Sequence, residues 1–106
     1  MDALYHTDAF RDLLSTTPPP RKMFMSMCSY EQLLFEEAGD ETARQRINDF
    51  VHEHVVLIPL HQSIAQKTAE LLAVRGGREL RDYREAVIEA TALVYEVPLL
   101  HALSLD

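Results

Sequence analysis

An α/β fold, with a central, mainly parallel sheet of about four strands between two layers of helices, is what this sequence predicts. Three observations carry that reading. Short apolar runs, of which Met23 to Cys28 and Val55 to Leu60 are the plainest, have the length of buried strands. Longer segments between them repeat their apolar residues at helical spacing. The two kinds alternate in the order β, α, β, α, α, β, α, α, β. Strands separated by helices need crossovers, hence parallel pairing and a sheet covered on both faces.

Taken in order, Ala3 to Leu14 combines a short strand-like start with a helical end. Ser15 to Pro20 closes on three consecutive prolines, which fit neither a helix interior nor a central strand, so this stretch is a stiff connector. Met23 to Cys28 reads as a strand on which Met23, Met25 and Met27 share one side. Tyr30 to Ala38 reads as a helix with Ser29 as N-cap and Gly39 as stop. Asp40 to His54 carries Ala43, Ile47, Phe50, Val51 and His54 on one stripe. The Val55 to Leu60 run ends at or near Pro59. Gln62 to Arg75 is helical with Ile64, Thr68, Leu71 and Leu72 inward, and Gly76-Gly77 ends it. Arg81 to Glu96 is the last helix, and Val97 to Leu100 the last strand.

A chain of 106 residues is expected to form one domain, over residues 1–106. Hydrophobic residues at 47% and charged residues at 25% are ordinary globular values. Cys28 is the single cysteine, which excludes an intramolecular disulfide and suits a reducing compartment. No apolar run approaches the ~20 residues that span a bilayer, so no membrane role is expected. Met1 to His6 lacks the basic-then-apolar pattern of a signal peptide. The expected location is the cytoplasm. The net charge of −7 repels a polyanion as a whole, so any nucleic-acid role needs a local basic patch, bound cations or a basic partner. Arg75, Arg78, Arg81 and Arg84 are the candidate patch, or else a solvated basic face.

Open parallel sheets bind their ligands beyond the carboxyl ends of the strands. That rule directs attention to His6 to Asp8, Ser29 to Glu31, Leu60-His61 and His101 to Leu103. Glu31 follows an apolar strand and opens a helix. Asp82, Glu85 and Glu89 share one helix face, Asp8 follows the first strand and Asp106 the last. Carboxylates gathered at one end of a sheet repel one another unless a cation neutralises them. Mg²⁺ or Mn²⁺ prefers such oxygen ligands, and the bound ion can activate water and hold a phosphodiester. The same carboxylates also read as a wet helix face. His52 and His54, two apart on a helix, point different ways, and His61 reads as a cap or surface residue. Cys28 reads as core, and Gly76-Gly77 is a helix stop rather than a phosphate loop.

The chain resembles the PIN-domain family, and within it the VapC-type toxins. Leu4 to Leu14 looks like the family's opening strand and helix, and Met25 to Phe35 like its second strand, acidic residue and helix. Val56 to Leu60 with Ile64 to Leu71 looks like the third strand and helix. Tyr83 to Leu93, ending Ala90-Thr91-Ala92-Leu93, with Val97-Pro98-Leu99-Leu100, looks like the catalytic helix and last core strand. The resemblance covers nearly the whole chain. It implies a PIN-like three-layer α/β/α fold and a metal-dependent endoribonuclease with three or four acidic residues. The first acidic position, normally Asp, falls on His6, with Asp8 two residues later. The second falls on Glu31, and the third, normally Asp, on Glu85. The fourth falls near Leu103, with Asp106 three residues beyond.

Under that resemblance Glu31, Glu85 and Asp8 are the expected catalytic residues. The expected metal ligands are the same three with His6 and Asp82, and the ion is Mg²⁺ or Mn²⁺. His6 either ligates a softer ion such as Mn²⁺ or Zn²⁺, or stands neutral in a reduced site. The implied partners are an RNA substrate, an antitoxin peptide or protein, and a second copy of the chain. The homodimer is also expected from Phe10, Leu14, Leu33, Leu34 and Phe35, an apolar set read as exposed. Two other readings stand beside the toxin ribonuclease: a non-catalytic PIN-like binding or assembly module, and an unrelated α/β binding domain.

Overall fold

A computed structural model describes residues 3–14 and 23–101. The triple-proline connector, Leu103 and Asp106 lie outside the described residues. Nine elements follow in the expected order: β1 (Leu4–Tyr5), α1 (Thr7–Leu14), β2 (Met23–Ser26), α2 (Met27–Glu36), α3 (Glu41–His54), β3 (Val55–Ile58), α4 (Gln62–Arg75), α5 (Leu80–Tyr95) and β4 (Leu99–Leu100). The strands form one parallel sheet in the order β3-β2-β1-β4. Leu4 pairs with Phe24 on one side and Leu99 on the other, and Met23 to Ser26 lies opposite Val55 to Ile58.

Strand side chains alternate between faces, and the core divides accordingly. Tyr5, Met23 and Met25 pack with Phe10 and Leu13 of α1, Leu33 of α2, and Ile47 and Val51 of α3. Leu4 and Ile58 pack with Ile64 of α4 and Val87, Ile88 and Ala90 of α5, with Phe24 at the margin. Helices therefore cover both faces of a four-stranded sheet, a three-layer α/β/α arrangement. None of the described helices is long and apolar enough to cross a membrane.

Several boundaries differ from the sequence expectation. α2 starts at Met27, and its N-cap is Ser26, whose hydroxyl accepts from the Cys28 N–H at 3.1 Å. Ser29 lies inside the helix. β2 consequently stops at Ser26, and Met27 leaves the Met23–Met25 side to become a partly exposed helical residue. β3 stops at Ile58, before Pro59. The apolar set on the early helices is also corrected: Phe10 and Leu33 are fully buried, Leu14 and Leu34 are half-buried, and only Phe35 is widely exposed, at 71%. Phe10 and Leu33 meet under the same sheet face, and that burial depends on tertiary packing that helical periodicity alone does not rank.

Candidate active site at the mouth of the sheet

His6 directly follows the central strand β1. Its backbone N–H donates to the Leu100 carbonyl at 2.9 Å, and its own carbonyl accepts from the Phe10 N–H at 2.9 Å. The residue is thus fixed between β4 and the first turn of α1. Its side chain is buried, and it faces α2, α5 and the residue that follows β4. Nδ1 lies 2.8 Å from Ser29 Oγ of α2. Nε2 lies 3.9 Å from Glu85 Oε1 of α5. The His101 ring, just past β4, stands edge-on with its centroid 5.8 Å away. Burial pushes the His6 pKa below its ordinary value; the negative charges of Glu85, Asp8 and Glu36 oppose that shift, and His101 adds to it.

Glu31 is exposed on the first turns of α2. It lines a crevice of about 200 Å³ with Ser26, Met27, Cys28, Leu60, Tyr83 and Val87. Burial pushes the Cys28 thiol up, and Glu31 and then Glu85 add to that shift against Arg84. Neither the thiol's surroundings nor its raised pKa suits a nucleophile.

The other candidate carboxylates have partners. Asp8 is exposed, with Arg11 Nη1 at 3.6 Å from its Oδ1. Asp82 forms a capping box at the start of α5, accepting from the Glu79 N–H at 3.1 Å. Glu89 takes two hydrogen bonds from the Arg75 guanidinium, at 2.7 and 2.5 Å, which hold its pKa below the ordinary carboxylate value. Glu36, not singled out by the sequence, accepts from Arg11 Nη2 and from Gln32 Nε2, which hold its pKa below the ordinary carboxylate value, and it contributes to the field at His6. His61 hydrogen-bonds Tyr95 Oη at 3.0 Å, and His54 stacks at a tilt on Phe50.

Ser29 is the residue of the mouth that sequence reasoning misplaced. Its zero exposure within a helix is the signal of a required polar partner, but that partner lies 23 positions away in the chain. An imidazole and two carboxylates form a donor set suited to Mn²⁺ better than to Mg²⁺. Only His6 and Glu85 approach one another closely; among the described residues no three His, Cys, Asp or Glu side chains converge to hold a metal ion.

No protein-family model matches the sequence, and no curated protein does. Solved structures do. A toxin–antitoxin complex from Klebsiella pneumoniae superposes with a TM-score of 0.69 at 20% identity, covering 92% of this chain and 82% of that one. A structure of VapBC-1 from nontypeable Haemophilus influenzae superposes with a TM-score of 0.62 at 16% identity, covering 95% of this chain and 98% of that one. Both superpositions run over nearly the whole of this chain, which accordingly has the VapC-type PIN fold.

Proposed function

We propose that the chain is the ribonuclease partner of a toxin–antitoxin pair, a PIN-type endoribonuclease attenuated by the histidine at position 6. The observation that carries this reading is the approach of His6 and Glu85, 3.9 Å apart, at the carboxyl end of β1. Glu85 and Glu31 would hold a divalent cation beside His6. When bound, the ion supplies an activated water and neutralises charge on an RNA phosphodiester. The chain's own residues do the rest: Ser29 and the β4 backbone orient His6. Attenuation follows from ligand count, because an imidazole replaces a carboxylate and a strongly hydrated Mg²⁺ prefers oxygen. An antitoxin segment covering the mouth and a second copy of the chain belong to the same reading.

Calorimetry and an RNA-cleavage assay test it together. Mn²⁺ should bind more tightly than Mg²⁺, and cleavage should be slow and stimulated by Mn²⁺. His6→Asp should raise Mn²⁺ affinity by about tenfold, the equivalent of about 1.4 kcal/mol, and raise cleavage with it. Glu31→Gln in that background should abolish both. Unchanged metal affinity in His6→Asp would remove the site from this mouth.

A specific observation favours a second reading, the non-catalytic binding module. Asp8 and Glu36 are engaged by Arg11 and Asp82 by the α5 cap, so carboxylates near the mouth are held in internal contacts. A protein that binds its partner but neither Mn²⁺ nor, after His6→Asp, any divalent ion would establish that reading instead.

A further inference from the structure

We propose that Ser29 is the positioning residue of His6: its hydroxyl donates to Nδ1 and thereby keeps the imidazole proton on Nε2, facing Glu85. The Ser29–His6 separation of 2.8 Å is a full hydrogen bond, but a hydroxyl can donate or accept, so that contact alone permits two arrangements of the ring. The opposite nitrogen decides between them. Nε2 faces Glu85 Oε1 at 3.9 Å, and a carboxylate is an acceptor only. An Nε2 lone pair aimed at it is repelled, whereas an N–H is attracted. With the proton on Nε2, Nδ1 is an acceptor and Ser29 must be its donor. The serine has no competing duty at the helix start, because Ser26 caps α2. No buried side-chain nitrogen or oxygen among the described residues lacks a partner.

This assignment changes what the mouth offers a ligand. Nε2 presents a proton rather than a lone pair, so His6 is a hydrogen-bond donor in the metal-free protein. A cation at Glu85 must bind without the imidazole, or else the proton must move to Nδ1 and the Ser29 hydroxyl must turn from donor to acceptor. Ser29 is in that sense a two-way switch on the ligand character of His6. The inference rests on the geometry of these residues alone and stands or falls independently of RNA cleavage.

Long-range ¹H–¹⁵N correlation spectra of the histidine rings in the full chain test it, at about pH 8, above the ordinary histidine range. The loss of one ring's signals in His6→Gln assigns His6 among the five histidines. Wild type should show the Nε2–H form in about tenfold excess or more, as one good hydrogen bond supplies, with Nδ1 shifted as a hydrogen-bonded acceptor. Ser29→Ala should abolish the acceptor shift and reduce the excess severalfold, and Ser29→Thr should retain both. If Ser29→Ala does not fold, Ser29→Cys, a weaker donor of similar bulk, should show a reduced acceptor shift. A wild-type ring protonated on Nδ1, or an Nδ1 resonance that neither Ser29→Ala nor Ser29→Cys moves, overturns the proposal.

Discussion

His6 is a buried imidazole whose pKa is lowered, and this gives its effect on stability a definite sign. Above the unfolded value the ring is neutral in both states and its contribution is fully present. As pH falls below that value the unfolded chain takes up the proton first, so folding weakens until the pH has passed the folded value. Urea unfolding should therefore show stability falling as pH drops below about 6.5, and His6→Gln should flatten that part of the profile. Glu36 and Glu89, whose pKa values are also lowered, contribute stability above the ordinary carboxylate range that is lost at lower pH. Their losses begin below that of His6, which separates the two effects. At this scale the sequence was only partly legible. Glu31 and Glu85 stand out as carboxylates at a strand end and on a helix face. The Ser29 hydroxyl, the His101 ring and the Arg11 contacts come from distant parts of the chain, so only the folded arrangement reveals them.

The α4–α5 hairpin shows how local chemistry fixes an element. Gly76 ends α4 in the left-handed region, at φ 71°, and Gly76→Ala should cost about 1–2 kcal/mol, the usual penalty for placing a Cβ there. Gly77 serves a different purpose: a Cβ on it would lie 2.7 Å from Asp82 Cβ. Gly77→Ala should displace Asp82 from the Glu79 N–H and destabilise the start of α5. Asp82→Ala should cost about 1 kcal/mol through loss of the cap, measurable by thermal unfolding, and a capping role alone predicts unchanged Mn²⁺ affinity. The glycine pair was legible as a helix stop because little else follows a periodic run that way. The start of α2 was not, because Ser26 and Ser29 both precede apolar residues, and the Met23–Met25–Met27 alternation mimics a longer strand. The order of the nine elements was legible throughout, since period-two and period-3.6 patterns are properties of contiguous sequence.

Across the whole molecule the charge of −7 sets the terms of any encounter with RNA. Two arginines of the candidate basic patch already face carboxylates, Arg75 on Glu89 and Arg81 at 3.6 Å from Glu79. Few phosphates can then be neutralised, and affinity for a short RNA should fall only shallowly with salt, by far less than the steep dependence of a basic nucleic-acid binder. Titrations between low and physiological salt measure that slope. A homodimer remains a proposal at this scale. Sedimentation at ~100 μM, far above common dimer affinities, should give a dimer that Phe35→Glu weakens, if the exposed Phe35 ring lies in the contact. The sheet order also bears on how the protein is made. Among the described strands β1 is made before the other three, yet it ends between β2 and β4, and His6 is pinned by Leu100. Until β4 has been synthesised, Leu4 and Tyr5 lack one of their two neighbours, and the His6–His101 pair cannot exist. Translation must pass residue 101 before the mouth of the sheet is assembled, so a nascent chain stalled earlier carries the ingredients of the site without the site itself.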